Sequence, residues 1–233
     1  MKKIVLASTS TLYGESYLAY LRETIVDLFQ HSKEIIFIPY ARPGGISHEA
    51  YTQNVASFFK ELNIGVKGLH EFAAPTHALQ QAKGIFTGGG NTFLLVKALH
   101  ELGLMAGLKS IVEQGTPYLG TSAGSNIGGV NMQTTNDMPI VYPPSFETMG
   151  LVPFNINAHY LDPDPTLKHN GETRETRIRE FHVFNTIPVV GLREGSWIAV
   201  HDEVVTTEGS RSSRIFKPNQ EPIEIAPGTQ IQF

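Results

Sequence analysis

Pro117-Tyr118-Leu119-Gly120-Thr121-Ser122-Ala123-Gly124-Ser125-Asn126 says more about the fold than any other run of this chain. Its apolar start reads as a buried strand, and it closes on Gly-x-Ser-x-Gly. In a strand-to-helix setting that spelling describes a sharp turn that lifts one hydroxyl, here Ser122, clear of the backbone. A side chain at either flanking glycine would collide in so tight a turn. A helix opening at Ala123 would aim its free N–H groups at anything bound to Ser122. The spelling alone arises by chance in roughly one chain of this length in ten, so its surroundings must carry the argument.

Upstream, strand and helix signals alternate. Ile4–Ala7 and Glu34–Pro39 are short apolar runs rich in β-branched residues, as expected for strands buried on both faces. Residues 15–30 place Tyr17, Leu18, Leu21, Ile25, Leu28 and Phe29 at helical spacing. Ser47-His48-Glu49-Ala50 opens a second helix carrying Tyr51, Val55, Phe58, Phe59 and Leu62 on one face. A weaker strand at 65–69 and a short helix at 76–82 follow. Gly84-Ile85-Phe86-Thr87 then runs into Gly88-Gly89-Gly90-Asn91, and helices at 92–100 and 104–114 lead to the serine strand. This alternation predicts an α/β three-layer sandwich with a mostly parallel central sheet of flavodoxin-like type. Ligands in such folds collect at the carboxyl ends of the strands. The rule brings Gly88–Asn91 and Ser122 to one edge.

Beyond Asn126 the pattern loosens. Residues 131–139 are polar and loop-like, and Leu151–Asn157 is an extended segment running up to His159. Asp162-Pro163-Asp164-Pro165 is a turn, and residues 173–184 form a helix. Short runs at 189–192, 196–200, 203–207, 213–216 and 222–225 predict an antiparallel C-terminal edge to the same sheet. No repeat or linker interrupts residues 1–233, read as a single domain.

The totals narrow the function. The 233 residues are 41% hydrophobic and 17% charged, with a net charge of -4, so there is no basic footprint for nucleic acid. The absence of cysteine removes disulfides, thiolate metal sites and cysteine nucleophiles. No apolar run approaches membrane-spanning length. The N-terminal apolar run is too short for a signal peptide and is broken by Ser8, Thr9 and Ser10, so a cytoplasmic location is expected.

A serine hydroxyl needs a base, and the base needs an orienting group. Of nine histidines, His159 is chosen because it ends an apolar segment beyond the serine strand. The others sit on helices, loops or late turns, His169 among them. Asp137, in the polar loop, and Glu194, after a strand, are both candidates for the acid; Asp162 and Asp164 read as turn residues. The Ala123 N–H and the Gly88–Gly90 turn supply candidate oxyanion donors. The turn lacks the Lys-Ser/Thr of a phosphate-binding loop.

Four stretches together carry a family resemblance: Gly88–Phe93, Gly120–Asn126, Thr134-Thr135-Asn136-Asp137-Met138-Pro139-Ile140-Val141, and Asn155–His159 with Gly171–Glu180. The chain resembles the peptidase E family of aspartyl dipeptidases, serine peptidases whose fold is related to class I glutamine amidotransferases. Thr121 is one departure, since some relatives are expected to carry tryptophan there. The resemblance implies a Ser122, His159, Asp137 triad with Glu194 as the alternative acid. It implies an oxyanion hole from Gly90 and Ala123, with Gly89 and Asn91 beside the substrate. It also implies hydrolysis of Asp-X dipeptides without metal or cofactor; a homodimer is compatible with it. A carboxylate-bearing substrate calls for arginine, and Arg174, at the start of the 173–184 helix, is the choice over Arg177. A cyanophycinase-like β-aspartyl peptidase and a non-catalytic small-molecule binding domain are the alternatives.

Overall fold

A computed structural model describes residues 2–164, 166 and 171–232 of the chain. Pro165 and His169, read above as turn and loop, lie outside them. The first half alternates as the sequence predicts: β1 (Lys3–Ala7), α1 (Arg22–Leu28), β2 (Glu34–Ile38), α2 (His48–Lys60), β3 (Gly65–Gly68), α3 (Pro75–Gln81), β4 (Ile85–Thr87), α4 (Thr92–Glu101), α5 (Met105–Glu113), β5 (Tyr118–Thr121) and α6 (Ala123–Asn126). The second half holds β6 (Asn155–Ala158), α7 (Arg174–Phe184), β7 (Val189–Leu192), β8 (Ser196–His201), β9 (Val204–Gly209), β10 (Ser213–Phe216), β11 (Ile223–Ile225) and β12 (Thr229–Gln230).

Among the described residues the main sheet has eight strands in the order β12-β9-β8-β1-β5-β4-β2-β3. Strands β1, β5, β4, β2 and β3 run parallel, and β8, β9 and β12 add an antiparallel edge. Alternate residues feed two separate cores. Ile4, Leu6, Ile36, Ile38, Ile85 and Tyr118 face one, packed with side chains of α3, α4 and α5. Val5, Ala7, Ile35, Phe37, Phe86 and Leu119 face the other, packed with α1 and α2. Burial on both faces is why these strands read as unbroken apolar runs.

Two expectations change. The helix expected over 15–30 begins only at Arg22, after a single 3-10 turn at Ala19–Leu21. Leu18 adopts a left-handed φ of 57°, and its amide donates to Ser10 O, which holds residues 11–17 out of the helix. The C-terminal strands, moreover, do not all extend one sheet. β6, β7, β10 and β11 form a separate four-stranded sheet in the order β11-β10-β7-β6, with β6 and β7 parallel. One face of it, with Ile156, Ala158, Val190, Leu192 and Ile215, packs into the first core. The chain crosses between sheets at the β7–β8 turn through Gly195, whose φ is 91°. That crossing puts the ends of β6 and β7 beside the ends of β1 and β5.

Candidate active site

Ser122 leaves β5 with φ 53° and ψ -112°, a conformation non-glycine residues rarely hold. The turn around it is tight enough that a Cβ at Gly120 would collide with Gly124 O, and one at Gly124 with Thr87 O. The strain lifts the hydroxyl towards β6. His159 follows β6 in a left-handed conformation of its own, φ 54°. Its Nε2 lies 2.8 Å from Ser122 Oγ, and its Nδ1 lies 2.8 Å from Glu194 Oε1. With Nδ1–H donating to the carboxylate, Nε2 presents the lone pair that accepts the serine hydroxyl. The His159 and Glu194 side chains are 37% and 44% exposed, so the pair opens to solvent and to substrate.

Register explains why Glu194 reaches His159. Ala158 pairs with Leu192 across β6 and β7, so the residues just past each strand emerge side by side. A buried hydroxyl locks the junction: Ser8 Oγ, at the end of β1, donates to Leu192 O at 2.8 Å and accepts from His159 N at 2.9 Å. Ser8 is a positioning residue missed in the sequence. Its only signal there is its place directly after a buried strand.

The Gly88–Gly90 turn closes the opposite side. A Cβ on Gly89 would lie 3.1 Å from Ser122 Cβ, so the turn's backbone sits against the serine. Among the described residues the amides of Gly89, Gly90 and Ala123 donate to no protein acceptor.

A family model described as peptidase family S51 matches residues 4–207. The chain belongs to peptidase family S51. Peptidase E of Streptomyces coelicolor is 45% identical over 228 residues, covering 98% of this chain and 93% of that protein. A probable alpha-aspartyl dipeptidase of Drosophila melanogaster is 41% identical over 235 residues, covering 100% and 97%. A crystal structure of a peptidase from an acI-B1 Actinobacterium shares the fold at TM-score 0.75 and 17% identity, covering 100% of this chain and 97% of that one.

In this S51 chain Asp137 is not on His159, contrary to the triad the resemblance implied. Its Oδ2 accepts from Thr92 N at 2.7 Å and from Thr135 Oγ1 at 2.9 Å, so it holds the first amide of α4, where a carboxylate is electrostatically favoured. The rest of the Thr134–Asp137 stretch is equally committed. Asn136 Nδ2 donates to Ala158 O at 2.7 Å, and Asn157 Nδ2 to Thr134 O at 2.7 Å. Asn126 Nδ2 donates to Thr92 Oγ1 at 3.0 Å. This polar network ties the ends of β4, β5 and β6 together beneath the site.

Asn91, expected beside the substrate, caps α4. Its Oδ1 accepts from Leu94 N at 3.1 Å as the N-cap of α4, and its Nδ2 donates to Met138 O at 2.8 Å. Both ends of the amide are already engaged.

Arg174 opens α7 behind the Thr173 cap. It is half-buried and makes no ion pair among the described residues. Burial and the neighbouring Arg177 charge lower its pKa, while the Asp137 carboxylate opposes them. Arg177 lies 3.8 Å from Glu172, and Arg179 is tied to Glu175 and Glu221. Arg174 and Arg177 line an open groove of about 800 Å3 with Leu161, Asp162, Asp164 and Glu172. A second cavity of about 680 Å3, lined by Ile35, Ile36, Phe72 and Ala78 among others, lies at the other end of β2, away from Ser122.

Proposed function

We propose that this chain is a serine dipeptidase cleaving Asp-X dipeptides, with Ser122 as nucleophile, His159 as general base and Glu194 orienting it. The observation that carries the reading is the continuous Ser122–His159–Glu194 hydrogen-bonded line, 2.8 Å at each step. Its seat at a strained strand-to-helix turn supports the same roles. The names of the relatives supply the substrate class.

In the first half-reaction His159 Nε2 takes the Ser122 proton as Oγ attacks the aspartyl carbonyl carbon. The oxyanion is received by the N–H groups of Gly90 and Ala123, with the Gly89 backbone against the serine. The imidazolium, held by Glu194, then protonates the leaving amine, and the C–N bond breaks to leave an aspartyl ester on Ser122. His159 then takes a proton from water as its oxygen attacks the ester carbonyl, and gives that proton to Ser122 Oγ as the acyl C–O bond breaks and aspartate leaves. Arg174 receives the aspartate side chain; a half-buried guanidinium without an ion-pair partner suits a planar carboxylate.

Ser122→Ala tests the reading: fold retained and Asp-Leu turnover reduced by at least about 10³-fold. Turnover close to the parent's sinks it. No step passes through a metal, so a chelator leaves activity unchanged. A panel of Asp-Leu, Asn-Leu, Glu-Leu and β-Asp-Arg separates this reading from a cyanophycinase-like activity. Preference for β-Asp-Arg would replace it.

A further inference from the structure

Tyr51, in the first turn of α2, has no part in the chemistry described so far, yet it touches the glycine turn beside Ser122. Its ring packs edge-on against Phe37 at 4.9 Å, and the side chain is buried. The hydroxyl lies directly under the turn: a Cβ on Gly88 would run into it. It donates to Gly89 O at 3.2 Å. Burial raises its pKa, so it stays a protonated donor through the neutral range. The Arg42 guanidinium lies over the ring, 5.1 Å from its centre, and covers the phenol from outside.

One peptide plane links these facts to the chemistry. The Gly89 carbonyl and the Gly90 N–H belong to the same trans peptide unit and point in opposite directions. Holding the carbonyl on Tyr51 therefore turns the Gly90 N–H away from α2. That amide donates to no protein acceptor among the described residues, and the preceding glycine abuts Ser122. Gly90 itself has φ 148°, so nothing intrinsic to its backbone prevents this peptide from rotating. The hydroxyl restrains it on one side, and the Asn91 N–H bond to Ala41 O at 2.7 Å anchors the chain just after it.

We infer that Tyr51 is a positioning residue for the oxyanion hole, fixing the Gly89–Gly90 peptide so that the Gly90 N–H is aimed before substrate arrives. The inference rests on the reading of Gly90 as an oxyanion donor. Preorganisation of this kind acts on developing charge and not on ground-state binding.

The test is Tyr51→Phe, which keeps the ring and removes the hydroxyl, the donor to Gly89 O and a neighbour of Arg42 and Tyr17. With Asp-Leu as substrate, kcat falls about 10–100-fold, the range for a loosened rather than a deleted oxyanion donor, and KM stays within about twofold. An aspartyl aldehyde, whose adduct with Ser122 carries the oxyanion, loses affinity by the same factor as kcat/KM, while inhibition by free aspartate is unchanged. 4-Aminophenylalanine at position 51 returns a donor to the same place and restores much of kcat. It also provides the comparison should Tyr51→Phe fold poorly. A kcat for Tyr51→Phe within twofold of the parent, beside an inactive Ser122→Ala, overturns the positioning role and leaves the serine reading standing. So does equal weakening of aldehyde and aspartate, which marks a merely structural residue. Turnover by Ser122→Ala removes the reading on which both depend.

Discussion

Ser122 and His159 are both held at positive φ, 53° and 54°. Such conformations cost of order 1–3 kcal/mol each and persist only where the surroundings over-determine them. Here the surroundings are visible: the glycines flanking Ser122, and the buried Ser8 hydroxyl on the His159 amide. The two strained residues bring Oγ and Nε2 together, and Glu194 completes the line. Glu194→Gln keeps the shape of that side chain but gives up the charge that holds the imidazolium. We expect kcat to fall roughly 10²–10⁴-fold with the melting temperature little changed. A variant within threefold of the parent would remove Glu194 from the mechanism. The sequence offered both Glu194 and Asp137 for this role. Nothing in local spacing separates them, because what brings Glu194 to His159 is the Ala158–Leu192 pairing of strands more than thirty residues apart.

Elements divide the same way between local and distant causes. The parallel strands and helices α2 to α5 follow from apolar runs and periodicity, so their bounds fall within a residue or two of expectation. The late start of α1 follows from one left-handed leucine, which periodicity does not encode. The second sheet depends on β6, a four-residue strand whose partner is chosen by tertiary packing. Asp137 belongs at this scale too: its carboxylate serves the N-terminus of α4, and through Thr92 and Thr135 it joins the network under the site. Asp137→Ala removes the acceptor of the amide of Thr92, a buried residue. We expect a stability loss of about 1–2 kcal/mol by denaturant titration, with a smaller fall in kcat than Glu194→Gln gives. If Asp137→Ala instead abolished turnover at unchanged stability, the acid on His159 during the reaction would be Asp137 after all.

Across the whole molecule, the site lies where two sheets meet, and Arg193, next to Glu194, ties the strand ends of the second sheet to one another. Its guanidinium is paired with Asp162, just past β6, at 2.7 Å and with Glu224 of β11 at 2.9 Å, and it donates to Ser212 O at 2.8 Å. Hydrogen bonds from Arg193 hold both carboxyl groups below their usual range, against a smaller opposing effect of burial. The sign follows directly. A carboxylate with a depressed folded pKa adds stability that is fully present above its unfolded value, about 3.9 for Asp and 4.3 for Glu, and is lost as pH falls through the folded value. Both carboxylates are about half exposed, 47% and 49%, so solvent screening keeps the gain modest. The comparison is therefore between melting curves of the parent and an Asp162→Asn/Glu224→Gln variant from pH 7 to pH 3. The parent melts higher at pH 7, and the gap narrows below about pH 4.5 as its carboxylates take up protons the variant cannot bind. A gap constant across that window would mean that packing around Arg193, and not its charge, holds the strand ends of the second sheet in place beside the site.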